Sequence, residues 1–258
     1  MAGQKTFKKN LKKVLTEAAS SVIVRIHTLQ HKLQIMRTKT LLCFAAAIAA
    51  GVATSMAQSN VYSLNVVGYV NKPLPTGLTL VANPLNTTNN TITGLFGGVG
   101  GALPEGTQVF LWNGTGYGVG TRDDLGAAGW SPDGFETTDL SPGKGFFVKN
   151  NSGAPFTNTF IGEVLQGSLT NHVGTGFQLL GSKVPLSGQV DDVTKLGFPV
   201  TDGDQVYQWS GTTYAIFTAD SLNTPPPWGD VVPNIGVAEG FFSRKAAATD
   251  WVRNFTVQ

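Results

Sequence analysis

One cysteine, Cys43, and three histidines in 258 residues leave little from which to build a disulfide framework, a cysteine-rich metal centre or a thiol nucleophile. Charge is scarce as well, at 13 % of residues. The overall charge of +2 conceals two unlike segments: residues 1–57 hold nine basic residues and one acid, Glu17, whereas residues 58–258 hold nine basic and fifteen acidic residues, a charge of −6. An acidic body lacks the basic face that neutralises phosphates and releases counterions, which argues against nucleic acid as a partner. No apolar run reaches the length of about 20 residues that a membrane-spanning helix needs. Helical periodicity is also missing after residue 57 beyond stretches of a few residues.

The N-terminal segment reads as an address. After Met36 come Arg37, Lys39, an apolar run of 13 residues from Leu41 to Ala53, and Ser55-Met56-Ala57. A positive start, a short apolar core and small residues three and one before a cut make a secretory signal peptide over 36–57, cleaved after Ala57. Cys43 lies near the start of the apolar run and follows Leu42, so it does not suit lipid attachment. Residues 1–35 form an upstream extension in which Phe7, Leu11, Val14, Leu15, Ala18, Val22 and Ile26 follow the 3.6-residue period of an amphipathic helix. This extension reads either as an export leader or as sequence ahead of a start at Met36, and a second complete signal behind it favours Met36.

From Gln58 onward there are 30 glycines, and short segments rich in Val, Thr, Phe, Tyr and Trp alternate with Gly, Asn, Asp and Pro. This predicts an all-β fold of small antiparallel sandwiches or barrels. Asn113-Gly114, Asp133-Gly134, Asp202-Gly203 and Ser210-Gly211 supply turn residues that tolerate positive φ. The chain also repeats itself. Thr76-Gly77-Leu78 returns as Thr175-Gly176-Phe177, Pro84-Leu85 as Pro185-Leu186, and Gln108–Tyr117 as Gln205–Tyr214. Trp130 matches Trp228, Gly145-Phe146-Phe147 matches Gly240-Phe241-Phe242, and Asn158–Ile161 resembles Asn254–Val257. The offsets stay between 95 and 101 residues in unbroken order, which predicts two tandem homologous units, 58–167 and 168–258. Large aromatics persist on one face of the matched strand, as Phe110 and Trp112 and then Tyr207 and Trp209. That face is the expected core of each unit, with Trp112 and Trp209 as anchors.

Val61-Tyr62-Ser63, Asn65–Asn71, Leu80–Leu85 and the Gly143–Phe147 strand carry a resemblance. In these motifs the chain resembles uncharacterised secreted, Gly-rich β-repeat proteins of verrucomicrobial and planctomycete-type bacteria. The resemblance implies export and β architecture and transfers no catalytic residue.

Few residues are left for chemistry. With Cys43 removed by processing, His172 is the sole imidazole, and it sits in what reads as a polar linker between the units. No catalytic residue and no cofactor are expected. Asp123-Asp124 and Asp191-Asp192 place neighbouring carboxylates on opposite faces of an extended chain, so neither pair forms a glycosidase constellation by itself. Asp202 and Asp204 flank a glycine as calcium-loop ligands do, but without the remaining oxygen ligands, and they read first as a turn. Gly97–Gly101, Gly116–Gly120 and Gly143–Gly145 open no helix after a parallel strand and are β connections rather than phosphate loops. Trp130 and Trp228 lie in irregular Gly/Pro/Asp segments, where a tryptophan can stack a pyranose ring or plug the end of a core.

Taken together, the residues favour a secreted or cell-surface structural or adhesive protein without catalytic activity. Its expected partners are extracellular polysaccharide, a cell-envelope component or further copies of itself. A carbohydrate-binding module with one aromatic site per repeat is the alternative, and a carboxylate-based glycan hydrolase the third. Sequencing the N-terminus of the released protein is expected to find Gln58 first; a mature N-terminus upstream of Met36 would overturn the processing scheme.

Overall fold

The computed structural model describes residues 66–225 and 227–257, together with Glu17, Ser20, Ser21 and Arg25, which are helical. The expected helical leader, signal peptide and cleavage point lie outside the described residues. No described helix is long and apolar enough to cross a membrane.

Alternating apolar and polar residues give strands throughout. The first copy runs β1 (Val67–Leu74), β2 (Gly77–Ala82), the five-residue helix α1 (Ile92–Phe96), β3 (Gln108–Trp112), β4 (Tyr117–Arg122), β5 (Trp130–Ser131), β6 (Gly145–Asn150) and β7 (Phe156–Glu163). The second runs β8 (Gly167–Val173), β9 (Gly176–Gly181), β10 (Gly188–Gln189), β11 (Gln205–Trp209), β12 (Tyr214–Thr218), β13 (Asn234–Ile235), β14 (Gly240–Lys245) and β15 (Thr249–Phe255). Thr91 starts α1 by accepting a hydrogen bond from the Gly94 amide, and Gly97 ends it with a φ of 80°.

The duplication is visible in the pairing. In the first copy β1 pairs with β7 as a ribbon, and β2-β6-β3-β4-β5 form a sheet; in the second β8 pairs with β15, and β9-β14-β11-β12 form a sheet. Registers match: Trp112 faces Tyr117 as Trp209 faces Tyr214, and Phe110 faces Phe147 as Tyr207 faces Phe242. The closing strands differ from the sequence match. Asn158 lies opposite Lys72 and Trp251 opposite Asn171, so the buried Asn158 corresponds to Trp251 rather than to Asn254. Pro84-Leu85 also shifts. The Asn83 side chain accepts from the Leu85 amide as the Ser182 hydroxyl accepts from the Val184 amide, which makes buried Val184 the counterpart of buried Leu85.

Each ribbon covers the inner face of its own sheet. Leu74, Val81, Val109, Phe146, Val148 and Phe160 meet in the first core, with Ile92 and Phe96 of α1 closing one side. Val173, Leu180, Val206, Phe241 and Trp251 meet in the second. The persistent aromatic face is therefore not the core of each copy. Val109 and Val206 point into those cores, while Phe110, Trp112, Tyr207 and Trp209 point the other way and pack in a third cluster around Leu80, Phe147, Leu179 and Phe242. Aromatics persist there because this layer joins the two copies.

The join is reciprocal. The Trp112 indole donates to the Phe177 carbonyl and the Trp209 indole to the Leu78 carbonyl, each at 3.0 Å. Trp112 stands edge-on to Phe242 at 5.5 Å, and Trp209 edge-on to Phe147 at 5.6 Å. Val81 bridges to Glu239 as Leu180 bridges to Lys144. These pairs relate the copies by a local two-fold axis, and Leu64–Gln258 forms one compact unit. Near the axis the backbones come close: a Cβ on Gly181 would lie 2.1 Å from the Ala82 Cβ, at symmetry-equivalent positions. Gly181→Ala is therefore expected to cost about 1–3 kcal/mol by overpacking. Adding Ala82→Gly should recover more than half of that loss in a urea-unfolding double-mutant cycle, and simple additivity would contradict the contact.

Candidate binding site

The residues singled out by sequence do not converge. Trp130 is fully buried in the first core and donates through its indole to the Gly97 carbonyl at 3.0 Å. Trp228 is 9 % exposed and belongs to the second core. Neither ring offers a free face on which a sugar could stack, so the glycan platforms expected at Trp130 and Trp228 are not formed. Both indoles are core plugs.

The calcium expectation at Asp202 and Asp204 is also corrected. Asp204 is buried against the Lys245 ammonium and accepts from the Thr201 amide and hydroxyl, each at 2.8 Å. Asp202 turns outward to the Ser221 amide and hydroxyl. A lysine ammonium thus occupies the place a cation would need, and the two carboxylates do not face one ligand. Among the described residues no group of three His, Cys, Asp or Glu side chains could hold a metal ion. Asp123 and Asp192 accept from the amides of Leu125 and Thr194 and so close local turns, while Asp124 accepts from the amide of Gly100, 24 residues away in the chain. Hydrogen bonds hold both Asp124 and Asp192 below the usual carboxylate range, from the Gly100 amide and then the Arg122 side chain at Asp124, and from the Thr194 hydroxyl and then its amide at Asp192.

His172 lies on β8, not in a linker. Its side chain is well exposed, and its Nδ1 sits 2.6 Å from Oδ1 of Asp250, its cross-strand neighbour on β15. This imidazole borders a cleft of about 440 Å³ at the seam between the copies. One wall comes from Leu111 and Trp112 at the end of β3, together with the Asn113-Gly114 turn. Asn113 holds that turn by accepting from the Thr115 and Gly116 amides at 3.0 and 2.8 Å. The Asp139–Gly145 approach to β6 forms a second wall, and β8 and β9 of the other copy complete the cleft.

Charge within the cleft is paired. Lys144 Nζ lies 2.8 Å from Asp139 Oδ2, and Ser141 donates to the other oxygen of the same carboxylate. Burial works to raise the Asp139 pKa, but the Lys144 and Ser141 contacts outweigh it and hold the group below its ordinary value. Asn171 donates to the Gly143 carbonyl at 2.9 Å, and the Gly181 amide bonds the same oxygen at 3.1 Å. Gly143 has a φ of 106°, and a Cβ there would meet the Asn171 amide at 2.9 Å, so glycine is required on both counts. The Gln178 side chain has no hydrogen-bond partner among the described residues and borders the cleft.

A second concavity, of about 260 Å³, is apolar and lined by Trp112, Tyr117, Phe177, Tyr207, Tyr214 and Phe242. Burial pushes the Tyr117 and Tyr214 hydroxyls, at symmetry-equivalent positions, above the ordinary tyrosine range. The cleft was not legible as a site from sequence, because its members come from three separate segments, and the motifs that some of them belong to are strand and turn patterns. Comparison with protein-family models, curated proteins and solved structures finds no match for this chain.

The buried ion pair of the second copy makes a direct test of local electrostatics. Burial works to raise the Asp204 pKa, but the Lys245 and Thr201 contacts prevail, so its folded value lies below the ordinary one. The stability it contributes is present above the unfolded-state pKa and lost as pH falls through the folded value. Lys245→Met should therefore destabilise by about 3–5 kcal/mol at neutral pH by stranding a buried carboxylate. Urea unfolding should show a smaller gap between variant and native protein near pH 3, and an equal gap at both pH values would argue against the pair.

Proposed function

We propose that this chain is an exported, non-catalytic structural or adhesive protein of the cell surface or extracellular matrix, related to the secreted Gly-rich β-repeat proteins that its strand motifs resemble. The observation that carries the reading is the use of the repeated aromatics. Trp112 and Trp209, with Phe147 and Phe242, bind one copy to the other and form no reactive site. What is duplicated is thus mechanical, a means of making one rigid body from two β units.

The ribbons supply outward surfaces for association. Tyr69 and Ile161 are direct cross-strand neighbours on β1 and β7 and are 73 % and 62 % exposed, with Val67 on the same face at 70 %. An outward cluster of this kind favours contact with another copy or with an envelope component. Export is supported by the charge and apolar pattern of residues 36–57, and a −6 body suits an extracellular role better than a nucleic-acid partner.

Two measurements test this reading. Fractionation of cells expressing the full chain should retain it at the surface or in an extracellular assembly. Light scattering should show concentration-dependent association that is weakened by Tyr69→Asp with Ile161→Asp. A freely diffusing protein that stays monomeric at every concentration would sink the proposal.

A further inference from the structure

The local two-fold axis creates two equivalent seams, and the chain treats them differently. At one seam Gln208 donates to the Asn234 carbonyl at 2.7 Å and to Glu239 at 3.2 Å, while Glu239 also accepts from the Gly236 amide at 2.8 Å. Lys72 joins this group: burial lowers its pKa and the nearby Glu239 carboxylate partly restores it. These side chains fill their seam with mutually satisfied polar groups. At the other seam the matched positions hold Leu111 for Gln208, Lys144 for Glu239, Asp139 for Asn234 and Asn171 for Lys72. Leu111 cannot make the bridging hydrogen bonds, and Lys144 is drawn aside onto Asp139. The result is the open cleft of about 440 Å³. The same fold thus carries a bonded polar cluster at one seam and a cleft at the other.

We infer that the open seam is a binding site for a neutral saccharide, formed once per chain by both copies together. Its volume lies in the range of about 300–1,000 Å³ typical of small-ligand clefts. Among its lining residues Lys144 and Asp139 form a charge-matched pair, and the His172 imidazole is hydrogen-bonded to Asp250, so the lining offers mainly hydrogen-bonding groups. Gln178 has no side-chain hydrogen bond among the described residues, and Asn171 keeps an acceptor oxygen after donating to Gly143. Leu111, Leu179 and Leu180 supply apolar surface for the C–H faces of a ring. Amides beside aliphatic surface, around a charge-matched ion pair, suit a ligand that carries many hydroxyls and no ionised group. Among the described residues no ligand set for a metal ion is present here.

This inference rests on the adhesive reading, because it names the surface polymer that the protein would hold. Calorimetry with the full chain and a panel of neutral oligosaccharides, cello-, xylo- and manno-oligosaccharides among them, tests it against oligogalacturonate as the charged comparison. One site per chain is expected for a neutral member of the panel. Leu111→Gln, Asp139→Asn and Lys144→Glu together copy the filled seam and should weaken binding at least tenfold, with thermal unfolding unchanged within a few degrees. Gln178→Ala, a partly exposed truncation that keeps the test valid if the triple variant misfolds, should weaken it about three- to tenfold. No heat from any neutral oligosaccharide, preference for oligogalacturonate, or binding untouched by both variants would overturn the inference. Surface retention without saccharide binding removes the cleft proposal alone, whereas saccharide binding by a monomer free in the medium removes the adhesive reading alone.

Discussion

The fold depends on two tryptophans that bond across the copies. Each indole leaves its own sheet and donates to a carbonyl on the first sheet strand of the other copy, Trp112 to Phe177 and Trp209 to Leu78. Each half-buried indole N–H finds its acceptor in an edge carbonyl of the opposite sheet, which stands there only when the copies are correctly stacked. The hydrogen bonds thereby set the relative position of the two sheets, while Phe147, Phe242, Leu80 and Leu179 supply the apolar area between them. Edge-on ring contacts recur in matched pairs, which is the arrangement that aromatic quadrupoles favour.

Around that conserved middle, the copies solve local problems differently. The second copy buries Asp204 against Lys245, whereas the first has Thr107 and Asn150 at those positions; Asn150 there donates to the Leu74 and Ala154 carbonyls. The first copy instead buries Arg122, whose guanidinium reaches the Gly129 carbonyl and Asp124, where the second copy has the small apolar Ala219. Both devices hold an irregular connection to its sheet. One copy uses charge near β14 and the other uses it at the end of β4, so the pairs are alternatives built on a shared backbone.

Much of the architecture was legible because it lay in local pattern. Antiparallel strands, glycine turns and the duplication all follow from residues close together in the chain or from repeated blocks, and Trp112–Tyr117 with Trp209–Tyr214 already mark identical hairpins. Facing direction was not legible. Periodicity of two separates Val109 from Phe110 but does not say which side meets its own ribbon and which meets the other copy, since both sides are apolar. Trp130 and Trp228 left two readings open for a related reason: a tryptophan among Gly, Pro and Asp suits an exposed platform or a core plug, and the burial of both rings selects the plug. Closing-strand register was hidden because Asn158 and Trp251 share a position but no chemistry. The cleft was hidden because it is a difference between two seams, visible only once the axis relating them is known.

Only Val164, Leu165 and Gln166 separate β7 from β8, and this short tether changes what a two-fold interface can become. In a homodimer every substitution appears twice, so an opened seam on one side is an opened seam on the other. Covalent linkage makes the contact between copies independent of protein concentration and lets each half mutate alone. The chain is in effect a dimer released from the obligation to be symmetric. It can keep one seam as mortar while the other is free to acquire a pocket.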